Sequence, residues 1–218
     1  MLAALLFIPI VMGVMFRFVI PVLEQYLCAR FRQAVILTPY YPVFDFLLAV
    51  MTPIMFTAAG AMVILDEADA GLARAISVTP VGRGGYLASR IVVPALLSTA
   101  YCVIVTVIFK LTALSAARIL LLAVCSGALG MVVALMISSL AKNKVEGLAY
   151  SKFSGLFVLG LPAALLVPAP IRYLACILPT FWMTELTMGE SLFNVIPALM
   201  TAAIWIALFT RGFIKKVM

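Results

Sequence analysis

The chain has 218 residues, 66% of them hydrophobic and only 11% charged. Soluble domains are about half apolar and about a quarter charged, so a single water-soluble core is excluded and lipid must solvate much of the surface. The net charge of +7 does not indicate nucleic acid, because no basic run interleaves with aromatics; Lys and Arg gather beside apolar runs, as anchors at anionic lipid do. With no histidine, Ser-His-Asp and Cys-His catalysis and the mixed-histidine zinc sites are excluded, and no metal site is expected.

Six stretches approach the length of about 20 apolar residues that a membrane span requires. The chain opens directly on apolar Met1-Leu2-Ala3-Ala4-Leu5-Leu6, with no basic n-region and no small-residue cleavage site. It therefore reads as a first span, Leu2 to Leu23, carrying Arg17 and Pro21 toward its far end. The second span runs from Val43 to Leu65, with Asp45 near its start. The third, Tyr86 to Phe109, carries Arg90 and Pro94, and the fourth runs from Ile119 to Leu140. The fifth, Phe153 to Val167, is short, and the sixth runs from Val195 to Thr210.

Loop Lys and Arg set the orientation. One set of links holds Arg74, Arg83, Lys142, Lys144, Lys152, Arg211, Lys215 and Lys216; the other holds Arg30, Arg32, Lys110, Arg118 and Arg172. The first set is richer, so it and both termini are expected in the cytoplasm, with the chain in the inner (plasma) membrane. Between the fifth and sixth spans, residues 168–182 are apolar but broken by Pro168, Pro170 and Pro179. That stretch is too short to cross, and bare backbone is not tolerated in lipid. Two readings fit it: half-helices dipping into the outer leaflet, or an aromatic belt of Tyr173, Phe181 and Trp182 at the interface. No repeat or linker divides the chain, so residues 1–218 are expected to form one transmembrane domain.

The polar island Asp66-Glu67-Ala68-Asp69-Ala70-Gly71-Leu72-Ala73-Arg74 lies between the second and third spans. Its acids are placed to begin a short helix, where negative charge favours the N-terminal dipole. Leu72, Ala75 and Ile76 then give an apolar stripe. Pro80 disfavours helix at Thr79, and Gly82, Gly84 and Gly85 supply a turn. The expectation is a short amphipathic cytoplasmic helix, followed by a kink and the third span. Such a helix is either a handle for a soluble partner or a solvated loop. Asp66, Asp69, Gly71 and Arg74 also faintly match the CDP-alcohol phosphotransferase pattern. The further downstream carboxylates that its metal chemistry needs are missing.

Glu67-Ala68-Asp69-Ala70-Gly71-Leu72, then Ile76-Ser77-Val78-Thr79-Pro80-Val81 and Tyr86-Leu87-Ala88-Ser89-Arg90, resemble the first cytoplasmic loop of the type-2 class of ATP-binding cassette exporter permeases. Among that class the drug-export members are nearest. Leu72 stands where many members have Thr, and the family's cytoplasmic elbow helix is not visible before the first span. The resemblance implies an all-α protein of six transmembrane helices, with a short cytoplasmic coupling helix and a re-entrant segment before the last helix. It implies that Glu67, Asp69, Gly71 and Arg74 lie on the coupling helix or its entry. Leu72 and Ile76 would seat in an ATPase groove, and Thr79-Pro80 would set the turn. It also implies a second permease copy or paralogue, with ATP and Mg bound on a separate cassette ATPase. This chain itself has no phosphate-binding loop, since Gly82-Arg83-Gly84-Gly85 is not followed by Lys-Ser or Lys-Thr. The function so read is export of a hydrophobic or amphipathic compound, with no enzyme activity on this chain.

Several features within the spans admit two readings. Asp45 and Arg17 pair or line a polar path, or they snorkel to the interface. Met55, with Met12, Met15, Met51, Met62, Met131 and Met136, lines an adaptable pocket or simply packs. Ser126, Gly127 and Gly130 form a small-residue face for close helix packing, within the subunit or between subunits. Cys28 and Cys176 fall on one side, where a disulfide is conceivable. A secondary transporter or channel is the alternative function; it would need membrane-embedded acids, and only Asp45 offers itself.

Overall fold

The computed structural model describes residues 2–70, 85, 88–189 and 191–217, with side chains from residue 5 to residue 213. Among these residues every regular element is helical. Helix α1, Leu2–Val14, runs through a π turn, Met15–Val19, into α2, Ile20–Phe31. The third span repeats the device, with a π turn, Ala88–Val92, leading into α4, Val93–Phe109. Both widened turns precede a proline at the second helical position, Pro21 and Pro94. Proline has no N–H and its ring crowds the preceding turn, so a local π turn absorbs the conflict without breaking the span.

Between them lies α3, Tyr41–Asp69, and after them α5, Ala116–Leu140. The fifth span is built from α6 (Lys144–Phe153), α7 (Gly155–Val158) and α8 (Gly160–Leu166), with bends at Ser154 and Leu159. A 3₁₀ segment, Ile171–Ile177, precedes α9, Pro179–Met188, and the last helix is α10, Val195–Val217. Six helical stretches are long and apolar enough to cross a membrane, as expected: Leu5–Phe31, Thr38–Asp69, Ala88–Phe109, Ala116–Leu140, Lys144–Leu166 and Leu192–Phe213. The fifth departs from expectation at its start. Residues 144–152, read as a loop on their charges, are helix, because Asn143 caps it by accepting from the Glu146 N–H at 2.9 Å. Glu146 in turn accepts from the Lys142 N–H at 2.8 Å, so both sides of this helix start are held.

Helices α3 and α5 form the centre. Phe46, Val50, Leu65, Leu122, Leu129, Val132 and Ile137 are fully enclosed there. The glycines set how closely α5 is approached. A Cβ on Gly127 would sit 2.0 Å from Thr99 Oγ1 of α4, and one on Gly130 would sit 3.0 Å from the Thr57 side chain of α3. The small-residue face of the fourth span therefore packs within the chain, against two neighbours. Buried hydroxyls fold back on their own helices: Thr52, Thr57, Ser138, Thr184 and Thr187 each donate to the carbonyl four residues earlier at 2.8 Å. That leaves these polar groups satisfied in an apolar interior. The first and sixth spans are peripheral, with 11% and 17% of their apolar windows buried.

Residues 171–188 form a hairpin against α10. Arg172 lies 3.9 Å from Glu185, and the Tyr173 and Phe181 rings lie 6.4 Å apart, so the 3₁₀ segment and α9 run side by side. At the tip, the Ile177 carbonyl accepts from Trp205 Nε1 at 2.9 Å. Trp205 lies about 15 Å along α10 from its start, at about 1.5 Å per residue. The tip is therefore level with the middle of the last span, where it meets the Phe157 carbonyl through the Thr180 hydroxyl. The four cysteines are all free thiols, so Cys28 and Cys176 are not bridged.

Candidate functional site

At one end of the bundle the acids of the polar island meet two cations. Asp66, Glu67 and Asp69 occupy the last turn of α3, a correction to the expectation that they begin a new helix. Negative charge at a helix C-terminus opposes the dipole, and the neighbouring helices offset it. Arg90 Nε donates to Glu67 at 3.2 Å, and its Nη2 binds the other carboxylate oxygen, a two-point pair that is part-buried. Lys144 Nζ donates to Asp66 at 2.8 Å, and the Lys144 N–H donates to Asp69 at 3.2 Å. That N–H belongs to the first residue of α6, where no intrahelical acceptor exists, so Asp69 acts as a cap supplied from another span. Together the three acids tie the end of the second span to the starts of the third and fifth.

These contacts bracket residues 70–87, which join the second and third spans. Gly71, Leu72, Arg74, Ile76, Thr79 and Pro80, and the expected amphipathic helix with them, lie outside the described residues. Beside Asp66 and Asp69 stands a lysine, and no further carboxylate joins them in a metal-sized cluster among the described residues.

At the opposite end Asp45 and Arg17 address the same link without binding each other. Asp45, 1% exposed, accepts from the Leu111 N–H at 2.7 Å, from the Thr112 N–H at 2.9 Å and from the Thr112 hydroxyl. The exposed Arg17 donates from Nη1 to the Lys110 carbonyl at 2.9 Å. Asp45 is thus turned inward onto backbone rather than snorkelling. Glu24, not singled out from sequence, works in the same way on the preceding link. It accepts from the Ile36 N–H at 3.0 Å, from the Leu37 N–H and from the Thr38 hydroxyl. Met55 is half-buried on α3, between Asp45 and Asp66 on the same helix.

A cavity of about 350 Å³ lies between the hairpin tip and the acidic end. It is lined by Met136, Leu140, Tyr150, Phe153, Leu156, Phe157, Leu178, Trp205 and Phe209. Trp205 meets Phe157 edge to face at 5.4 Å and stacks with Phe209 at 5.5 Å. Of the methionines that the sequence offered either as pocket lining or as packing, only Met136 lines this cavity. Its aromatics come from two spans, Tyr150, Phe153 and Phe157 from the fifth and Trp205 and Phe209 from the sixth, so spacing along the sequence could not reveal their meeting.

A family model described as fluoroquinolones export permease protein Rv2686c-like matches residues 1–213. Among curated relatives, two fluoroquinolones export permease proteins of Mycobacterium tuberculosis are similar: MT2760 of strain CDC 1551 / Oshkosh and Rv2686c of strain ATCC 25618 / H37Rv. Each is 29% identical over 136 residues, covering 58% of this chain and 51% of the relative. The match thus spans about half the length of these relatives. No solved structure matches. With six candidate spans and a family match along nearly all of its length, the chain belongs to the Rv2686c-like family of export permease proteins.

Proposed function

We propose that this chain is the membrane subunit of an ATP-binding cassette exporter that moves amphipathic, aromatic drug-like compounds out of the cell. The drug class is carried over from the name of the relatives. ATP and Mg are held by a separate ATPase, and a second permease copy or a paralogue completes the transporter. The acidic end is cytoplasmic in this reading, because residues 70–87, 141–153 and 211–216 carry the larger share of Lys and Arg. The hairpin of residues 171–188 is then re-entrant from the outer side, its tip at mid-membrane. The sparsely buried first span is free to face lipid or the second copy.

One observation carries the coupling part. The 70–87 link enters and leaves beside a single pair, Glu67–Arg90, and a third span is tied in through Lys144. An ATPase that pulls on this link moves the ends of three spans together. Such a push drives transport only if the partner's nucleotide state changes the free-energy difference between inward- and outward-open forms. Glu67, Asp69, Gly71, Leu72, Arg74, Ile76, Thr79 and Pro80 are the residues assigned to this coupling surface.

The test exchanges the pair. Glu67→Arg with Arg90→Glu retains an ion pair but inverts the charge offered at the head of the link. ATPase co-purification is expected to fall while the chain's expression and melting are retained. Undiminished recovery of the ATPase with the exchanged pair, and with Leu72→Asp, contradicts the coupling assignment.

A further inference from the structure

The cavity between the hairpin tip and the acidic end has the size of a small-molecule site, which typically spans about 300–1,000 Å³. Its inner wall is fixed: Met136 and Phe157 are each 6% exposed and belong to the core. Its mouth is open, since Leu140, Phe153 and Leu156 are roughly half exposed on the outside of the bundle. The roof is Leu178, at the hairpin tip. The lining is apolar except for the Tyr150 hydroxyl and the Trp205 N–H, and the Ile177 carbonyl already uses that N–H. Trp205 therefore adds only its indole ring to the lining, with Phe157 edge-on and Phe209 stacked against it. Aromatic groups prefer offset-stacked or edge-to-face neighbours, and five of the nine lining side chains are aromatic.

We propose that this cavity binds a neutral, planar aromatic molecule that enters sideways from the leaflet at the acidic end. The proposal rests on the export reading, for which it names the loading site. A flat ring gains stacked or edge-to-face contacts with these aromatic walls, which an acyl chain does not. Helix α6 carries Tyr150 and Phe153 at one end and Lys144 at the other. The cavity wall is thus the same helix that the acidic cluster holds.

The chain has two tryptophans, and only Trp205 lines the cavity, so Trp182→Phe leaves a single reporter in place. The full chain is reconstituted in phosphatidylcholine nanodiscs and titrated with pyrene, reading energy transfer from Trp205. The expected result is saturable transfer. Phe153→Ala should weaken half-saturation by about tenfold, the size of one lost ring contact, and Leu140→Phe, which narrows the mouth, should also weaken it. Unsaturable transfer from Trp205, unchanged by Phe153→Ala, overturns the proposal. So does full quenching of Trp205 by brominated phosphatidylcholine that pyrene does not relieve, which would mean an acyl chain occupies the site. Pyrene binding needs neither nucleotide nor ATPase. Its failure therefore leaves the coupling reading intact, and saturable binding in a chain that no ATPase can drive would sink the coupling reading alone.

Discussion

Asp45 is the sharpest point at which to perturb this fold. It is buried, and its carboxyl group accepts from two backbone N–H groups and one hydroxyl on the link between the third and fourth spans. Truncation to alanine removes every acceptor at once. An unsatisfied buried donor costs about 1–3 kcal/mol. The Thr112 hydroxyl can rotate away, while the Leu111 and Thr112 N–H groups are fixed by the backbone. Counting those two alone, Asp45→Ala should destabilise by about 2–6 kcal/mol, or very roughly 5–20 °C of melting temperature for a chain of this size. Asp45→Asn keeps one acceptor oxygen and should lose about half as much. Arg17→Ala, at the same link but exposed, should stay within about 1 kcal/mol. The assay is thermal unfolding in detergent, followed by loss of the monodisperse size-exclusion peak after heating. An Asp45→Ala protein that melts with the parent would refute the structural role. An Asp45→Asn protein that melts normally but no longer transports would instead favour a proton relay and the secondary-transporter alternative.

Other outcomes follow from the same contacts. Lys144→Ala should lower stability by less than about 1 kcal/mol, because its pair with Asp66 is half exposed; a loss of several kcal/mol in the same melting assay would contradict this. Gly130→Val should abolish recovery of folded protein, since branched carbons would enter the space held by Thr57 and the Pro53 carbonyl, whereas Gly155→Ala should be silent because nothing lies near it. Wild-type behaviour of Gly130→Val would refute the close α3–α5 approach. Cysteines introduced at Ser191 and at Leu178 in a cysteine-free background should differ in labelling by a membrane-impermeant maleimide from outside, fast at Ser191 and slow at the hairpin tip. Equal fast labelling would contradict a tip at mid-membrane.

The six spans were legible because apolar runs of this length have few other uses. The close packing of the fourth span was legible in Gly127 and Gly130, since small residues spaced along one helix face have a local signature. The start of the fifth span was hidden. Lys144, Glu146 and Lys152 made it look like a loop, although Asn143 with Glu146 three residues later is a helix-start signal that outweighs those charges. The acids Asp66, Glu67 and Asp69 stood out in the sequence but were assigned to the start of a helix, whereas they end one. What fixes them are Arg90 and Lys144, 23 and 78 residues from their partners. The turn of Asp45 onto residues 111 and 112, and the aromatic cavity, are pairings of the same long-range kind, which periodicity cannot carry.

In the proposed function, transport by this chain is powered by ATP hydrolysed on another polypeptide. Its most direct measurement is uptake of a fluorescent fluoroquinolone into inside-out proteoliposomes holding the chain, with and without a co-expressed cassette ATPase. Uptake is expected only when ATPase and ATP are both present, and none from an imposed proton gradient alone. Gradient-driven uptake by the chain without an ATPase would contradict it.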